Sequence, residues 1–137
     1  MQNEWPTWMP VAEVRVARPT DRLDEVVRFY SQGLGLKQIG SFKDHAGYSG
    51  VMLGLPGCDY HLEFTHHEGG SPCPAPTADN LLVLYIPHRH AIDQAVARLA
   101  DLGHSPVEPE NPYWKDNGVT FEDPDGWRVV LMNTGGI

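Results

Sequence analysis

The side chains best placed for chemistry are His61 and Glu63, an imidazole and a carboxylate two residues apart. On a strand, residues i and i+2 point the same way, so both could act on one bound molecule. Glu63 is then a candidate general base next to a carbonyl, with His61, or His45 from an earlier segment, as the partnering acid. That chemistry would be a lyase or isomerase step. Glu13 and Arg15 alternate in the same way on an earlier segment, and a guanidinium nearby favours the ionised carboxylate, which weakens Glu63 as a base. The same residues can simply hold a ligand, Arg15 and His61 gripping its polar end. A rebuilt divalent-metal site around His61 and Glu63 is the third option, since His45, His66 and His67 lie in adjoining segments. Against it, His66 and His67 open a Gly/Pro-rich stretch and read as solvated. His88 and His90 begin a helical pattern, and His104 follows its stop and reads as exposed.

These residues must be positioned by a duplicated unit. At an offset of 68 residues Pro19 falls on Pro87, Leu34-Gly35 on Leu102-Gly103, Gly50-Val51 on Gly118-Val119 and Pro56 on Pro124. The matches sit where strands end, helices stop and hairpins turn. In the first copy Val14 and Val16 alternate with polar neighbours as a half-buried strand. Asp21 can cap a helix whose apolar stripe is Leu23, Val26, Val27, Tyr30 and Leu34, and the glycines at 33 and 35 stop it. Three strands follow, near 37–44, 50–55 and 60–65, the last two joined by a Leu-Pro-Gly-Cys turn. The second copy repeats the order: a strand at 81–86, a helical stripe of Ile92, Ala95, Val96, Leu99 and Leu102, then strands at 118–121 and 127–132 around Glu-Asp-Pro-Asp-Gly. Each unit reads as βαβββ and is too short to bury a core alone. The chain is therefore one domain, with a first unit at 11–65, a crossover linker at 66–79 and a second unit at 80–134. Trp5, Pro6, Trp8 and Pro10 read as an extended arm packing on that domain.

Composition narrows the partners. The net charge of −8 comes without a basic stripe, so nucleic acid and anionic membranes are poor partners, while a cationic ligand is tolerated. No apolar run is long enough to span a membrane, and the acidic, Pro-broken start is unlike a signal peptide, which implies a cytoplasmic protein. Cys58 and Cys73 lack zinc or redox spacing and read as two ordinary thiols.

Arg-Phe-Tyr-x-x-Gly-Leu-Gly-Leu (28–36) at the end of the first helix and Glu-Asp-Pro-Asp-Gly (122–126) before the last strand, within a duplicated βαβββ unit, resemble the vicinal oxygen chelate superfamily. That group includes glyoxalase I, bleomycin-resistance proteins and extradiol dioxygenases. The resemblance implies an α+β fold in which the two units form one eight-stranded, cup-shaped mixed sheet with helices outside and a ligand in the concave face. By alternation Glu13, Arg15, His61 and Glu63 would line one wall, and Leu81, Val83, Tyr85, Val129 and Leu131 the other, a lopsided cup for a ligand with a polar and a greasy end. Metal-dependent relatives take ligands from the first and last strands of both units. Carried over, those positions are Arg15, Glu63, Val83 and either Val130 or Leu131, of which only Glu63 can ligate; Asn80 is a displaced and poor candidate. No metal or other cofactor is therefore expected, and an extradiol dioxygenase is disfavoured. The offset also pairs the loop His45-Ala-Gly-Tyr48 with Asn111-Pro-Tyr113-Trp114, which puts an imidazole and aromatics at the cup's rim. Trp127 reads as packing.

The expected function is a glyoxalase- or bleomycin-resistance-like protein binding a small organic molecule without a metal. Glu63, His61 and His45 are the catalytic candidates, and Glu13, Arg15, Tyr48, Val83, Tyr85, Tyr113, Trp114 and Leu131 the ligand contacts. The alternatives are the lyase or isomerase with a rebuilt metal site, and an interaction module whose cup is filled by its own side chains. Two units in one chain can close a cup without exchange, which leaves a homodimer open. Arg15 and Glu63 are expected within salt-bridge reach as a buried pair, so that losing Glu63 alone would cost roughly 3 kcal/mol.

Overall fold

The computed structural model describes residues 4–55 and 57–137, so Met1 to Asn3 and the equivalence of Pro56 with Pro124 lie outside the described residues. The first unit runs β1 (Val14–Pro19), α1 (Leu23–Arg28) with a π turn (Phe29–Gly33), β2 (Lys37–His45), β3 (Tyr48–Gly54) and β4 (Tyr60–His67). The second runs β5 (Leu81–Tyr85), α2 (Arg89–Asp101), a 3-10 turn (Pro112–Trp114), β6 (Gly118–Glu122) and β7 (Arg128–Met132). Each unit closes the same way: the strand before the helix lies parallel to the unit's last strand, and the other neighbours are antiparallel. The order is β1-β4-β3-β2 in one sheet and β5-β7-β6 in the other. The fold is α+β, as expected.

The single eight-stranded cup is not what forms. Among the described residues the sheets have four and three strands, and no ladder joins them. The missing strand has a local cause: Pro106, Pro109 and Pro112 remove backbone donors along the segment that would flank β6. Only Val107 bridges, its N–H donating to the Thr120 carbonyl at 2.8 Å.

One apolar cluster serves both units. Val26, Phe29 and Tyr30 meet Leu53, Leu62 and Phe64 of the first sheet, Ile92, Ala95 and Leu99 of α2, and Phe121, Val129 and Leu131 of the second sheet. Most of both helical stripes reach this cluster, but Val27 and Leu102 do not, and Phe29, outside the stripe as read, is fully buried. Gly33 lets α2 pack closely on the first helix, since a Cβ there would clash with a Leu99 methyl. Several local expectations need correction. Asp21 does not cap α1; its carboxylate accepts from the Ser71 N–H, and the residue before the helix makes no side-chain cap. β4 continues through His66 and His67, where the Thr20 carbonyl and the Ser71 hydroxyl engage them, so neither begins the linker. His104 is half-buried, edge-on to Phe29 at 5.0 Å. Val16 stays outside the core, 47% exposed on the free edge of β1. The arm does not pack: residues 4–10 are exposed. Both cysteines are free thiols. No helix of the described residues is long and apolar enough to cross a membrane.

The units are pinned by Asp123, in the turn before β7. One carboxylate oxygen accepts from Arg18 and from the Tyr30 hydroxyl at 2.8 Å; the other accepts from the Asp125 and Trp127 amides. Burial, then the Asp123 charge, pushes the Tyr30 phenol well above its ordinary range. A phenol that ionises less readily folded than unfolded contributes stability below its unfolded pKa of about 10, and that contribution drains away as pH rises further. Stability measured by urea unfolding should fall above roughly pH 10, and Tyr30→Phe should flatten that part of the slope.

Candidate functional site

β1 and β4 lie in parallel register with Arg15 opposite His61 and Ala17 opposite Glu63. Leu62 and Phe64 take the helix face, so His61 and Glu63 take the other, as does Arg15. Glu13, Arg15, His61 and Glu63 are thus brought together. His61 is the buried member at 4% exposure. Arg15 Nε donates to His61 Nε2 at 2.8 Å. A guanidinium can only donate, so Nε2 is the acceptor and the ring proton sits on Nδ1, facing Glu13 Oε2 at 3.1 Å. Arg15 Nη1 reaches Glu63 Oε2 at 3.5 Å. The result is a chain of two carboxylates, a neutral imidazole and a guanidinium.

The Arg15–Glu63 pair is therefore present, but the expectation of a buried guanidinium is corrected. The Arg15 side chain is 47% exposed and Glu63 13%. Water can serve a stranded Arg15, so Glu63→Ala should cost only about 1 kcal/mol or less in urea unfolding. A loss of several kcal/mol would show that Arg15 is sealed in solution.

On the second sheet Val83 pairs with Val130 and Leu84 with Leu131. Leu131 and Val129 are fully buried in the helix-side core, so their placement on the open wall is corrected; Val130 shares the other face with Val83 but is itself fully buried. Tyr85 stays half-exposed at the end of β5.

The whole chain has close counterparts. The YycE-like N-terminal domain matches residues 14–65 and the YycE-like C-terminal domain residues 79–133. The YycE protein of Bacillus subtilis (strain 168) is 56% identical over 126 residues, 92% of this chain and 91% of that one. The chain belongs to the YycE-like family. A crystal structure of the YycE protein of Bacillus subtilis, a protein of unknown function, superposes with a TM-score of 0.92 at 52% identity, covering 98% of both chains. The fold recurs in glyoxalase I of Leishmania major (TM-score 0.66, 22% identity, 87% of this chain and 84% of that one). It recurs also in TnmS3, an antibiotic binding protein of Streptomyces sp. CB03234 (TM-score 0.62, 21% identity, 90% and 97%). The YycE-like chain thus shares the fold of the vicinal oxygen chelate superfamily.

The superfamily's metal does not fit this YycE-like chain. At the four positions stand Arg15, already hydrogen-bonded to His61, the single carboxylate Glu63, and the apolar pair Val83 and Val130. A cation at Arg15 opposes a second cation, and two valines supply no donor. Among the described residues no three His, Cys, Asp or Glu side chains converge.

The loops expected at the rim lie elsewhere. Tyr48 pairs with His67 and Met52 with Glu63, so the hairpin tip is four residues, roughly 13 Å, along β4 from Glu63. His45, opposite Tyr48 and exposed, is out of reach as its partnering acid. The Tyr48 ring rests on His67 at 4.6 Å. Tyr113 and Trp114 form the 3-10 turn ahead of β6, edge-to-face at 4.9 Å, with Tyr113 largely exposed. Neither loop lines the cavity between the units, which is walled by Arg18, Tyr30 and Trp127 among others. The sequence reading missed Arg18, Tyr30 and Asp123 as a group. The only signal was their presence in or near the two family motifs.

Proposed function

We propose that this YycE-like protein binds a small organic molecule on the helix-free face of its first sheet, without a metal, and acts in the cytoplasm. The observation that carries the reading is Arg15, which stands where relatives place a ligand and is spread across His61 and Glu63 instead of coordinating anything. Half-exposed, it can turn to a carbonyl or carboxylate on the ligand while His61 keeps its place through Glu13. Val83 and Tyr85, both at least partly exposed, offer the apolar complement. TnmS3 binds an antibiotic on the same fold, so sequestration needs no catalyst here. β1 and β5 each leave an edge unpaired, and a homodimer that pairs such edges belongs to the same reading.

A lyase or isomerase with Glu63 as base and His61 as acid is favoured by their common strand face. It is opposed by Arg15, which already engages a Glu63 oxygen, and by the His61 proton, which is engaged with Glu13. Native mass spectrometry of protein purified without chelator separates the readings. The expected result is an organic adduct lost in Arg15→Ala and no stoichiometric metal. Stoichiometric Zn, Ni, Mn or Fe lost in Glu63→Ala would overturn it in favour of the metalloenzyme.

A further inference from the structure

The seam between the two units holds a second cavity, lined largely from the helix side of β1 and distinct from the Arg15 network. Its volume is about 240 Å³. The apolar lining comes from both units: Val16, Leu62 and Phe64 from the first, Leu81, Leu82 and Trp127 from the second. An apolar cavity of about 150 Å³ holds benzene, so this one has room for two fused rings.

The polar lining is one-sided. Arg18, Asn80, Arg128 and the Tyr60 hydroxyl contribute, while the Tyr30 hydroxyl is turned away to Asp123. Each offers donors. Arg18 Nε is buried with no partner. The Asn80 carbonyl already accepts from Thr77, which leaves its amide N–H groups. Arg128 sits at the edge with Nε on Glu122 and Nη1 on the Glu108 carbonyl. A cavity whose walls are apolar and whose polar groups are donors calls for a ring carrying acceptor oxygens. Arg18 is also held in place: its guanidinium lies 4.8 Å from the Trp127 ring centre and 5.0 Å from that of Phe64, with Asp123 at one end. A donor fixed before the ligand arrives loses little freedom on binding.

We propose that this seam cavity is a binding site for a planar aromatic carboxylate of one or two rings, the ring lying among Val16, Leu82 and Trp127 and the carboxylate directed to Arg18 and Arg128. The site is independent of the reading given for the first sheet. Calorimetric titration of the full-length protein with naphthoate tests it, with neutral naphthamide as the matched probe. Naphthoate should bind with a Kd below about 1 mM and naphthamide at least about tenfold more weakly. Val16→Trp fills the cavity from a half-exposed position, and should weaken naphthoate by about tenfold or more while leaving thermal unfolding unchanged. Arg15→Ala should leave the affinity as it was. No heat with naphthoate at several millimolar, equal affinity for the amide, or unaltered binding in Val16→Trp would overturn the proposal. Loss of binding in Arg15→Ala alone would also overturn it, placing the carboxylate on the helix-free face and supporting the reading of that face instead.

Discussion

Asp123→Ala is expected to destabilise the protein by about 3–5 kcal/mol, the usual result of removing one partner of a buried ion pair. The Asp123 side chain is fully buried and Arg18 is 13% exposed, so no water replaces what is lost. Four donors lose their acceptor together: Arg18, the Tyr30 hydroxyl and the amides of Asp125 and Trp127. The amides matter because they shape the turn into β7, where Gly126 takes a positive φ of 88° and its N–H donates to the Asp123 carbonyl at 2.9 Å. Asp123→Asn would keep an acceptor for the amides but bring N–H groups towards Arg18 and Tyr30, and should fall between wild type and Ala. The double variant Asp123→Ala with Arg18→Met removes the stranded charge and should recover part of the loss, so the two changes are far from additive. Urea unfolding measures all three. A cost below about 1 kcal/mol for Asp123→Ala would mean that Arg18 finds another partner and that the pin between the units is dispensable.

That anchor shows where sequence reading runs out. Glu-Asp-Pro-Asp-Gly was legible as a turn, because Pro and Gly punctuate the chain through local backbone preferences. What Asp123 reaches was not: Tyr30 lies 93 residues away and Arg18 105, and no local pattern encodes a contact at that range. The first-sheet network was legible for the opposite reason. Glu13, Arg15, His61 and Glu63 meet through strand alternation, which the residues show, plus one parallel pairing of first and last strands, which the family resemblance implied. The second wall failed by one residue. A rigid offset of 68 carries His61 and Glu63 to Val129 and Leu131, yet the ladder sets Val83 opposite Val130, and a shift of one position turns every side chain to the other face. The lost eighth strand was visible in hindsight as three prolines in one short segment, a signal that the repeat pattern outweighed. His45 and Tyr48 went astray because equivalence between loops says nothing of strand length, and the nine residues of β2 carry that hairpin away from Glu63.

Phe29→Ala should cost about 3–5 kcal/mol, the range for deleting a buried phenylalanine, and the loss should be felt in both units. Phe29 has no exposure and opens the π turn, where the wider spacing shows as the Leu34 N–H donating to the Phe29 carbonyl five residues back. Its ring meets Tyr30 edge-on at 4.9 Å and His104, just past α2, at 5.0 Å. The same turn sets Gly33 against Leu99, so the first unit's helix end is the surface on which α2 packs. Because one cluster holds residues from both sheets and both helices, neither unit retains a core when the junction is hollowed. The thermal midpoint should drop by roughly 10–20 °C in a single transition, and amide exchange protection in α2 should fall in step with that in β3 and β4. Phe29→Leu keeps most of the volume and should cost less than about 1.5 kcal/mol. If α2 kept wild-type protection while the first sheet lost it, the units would be separately stable and the shared core would be a contact between two finished structures.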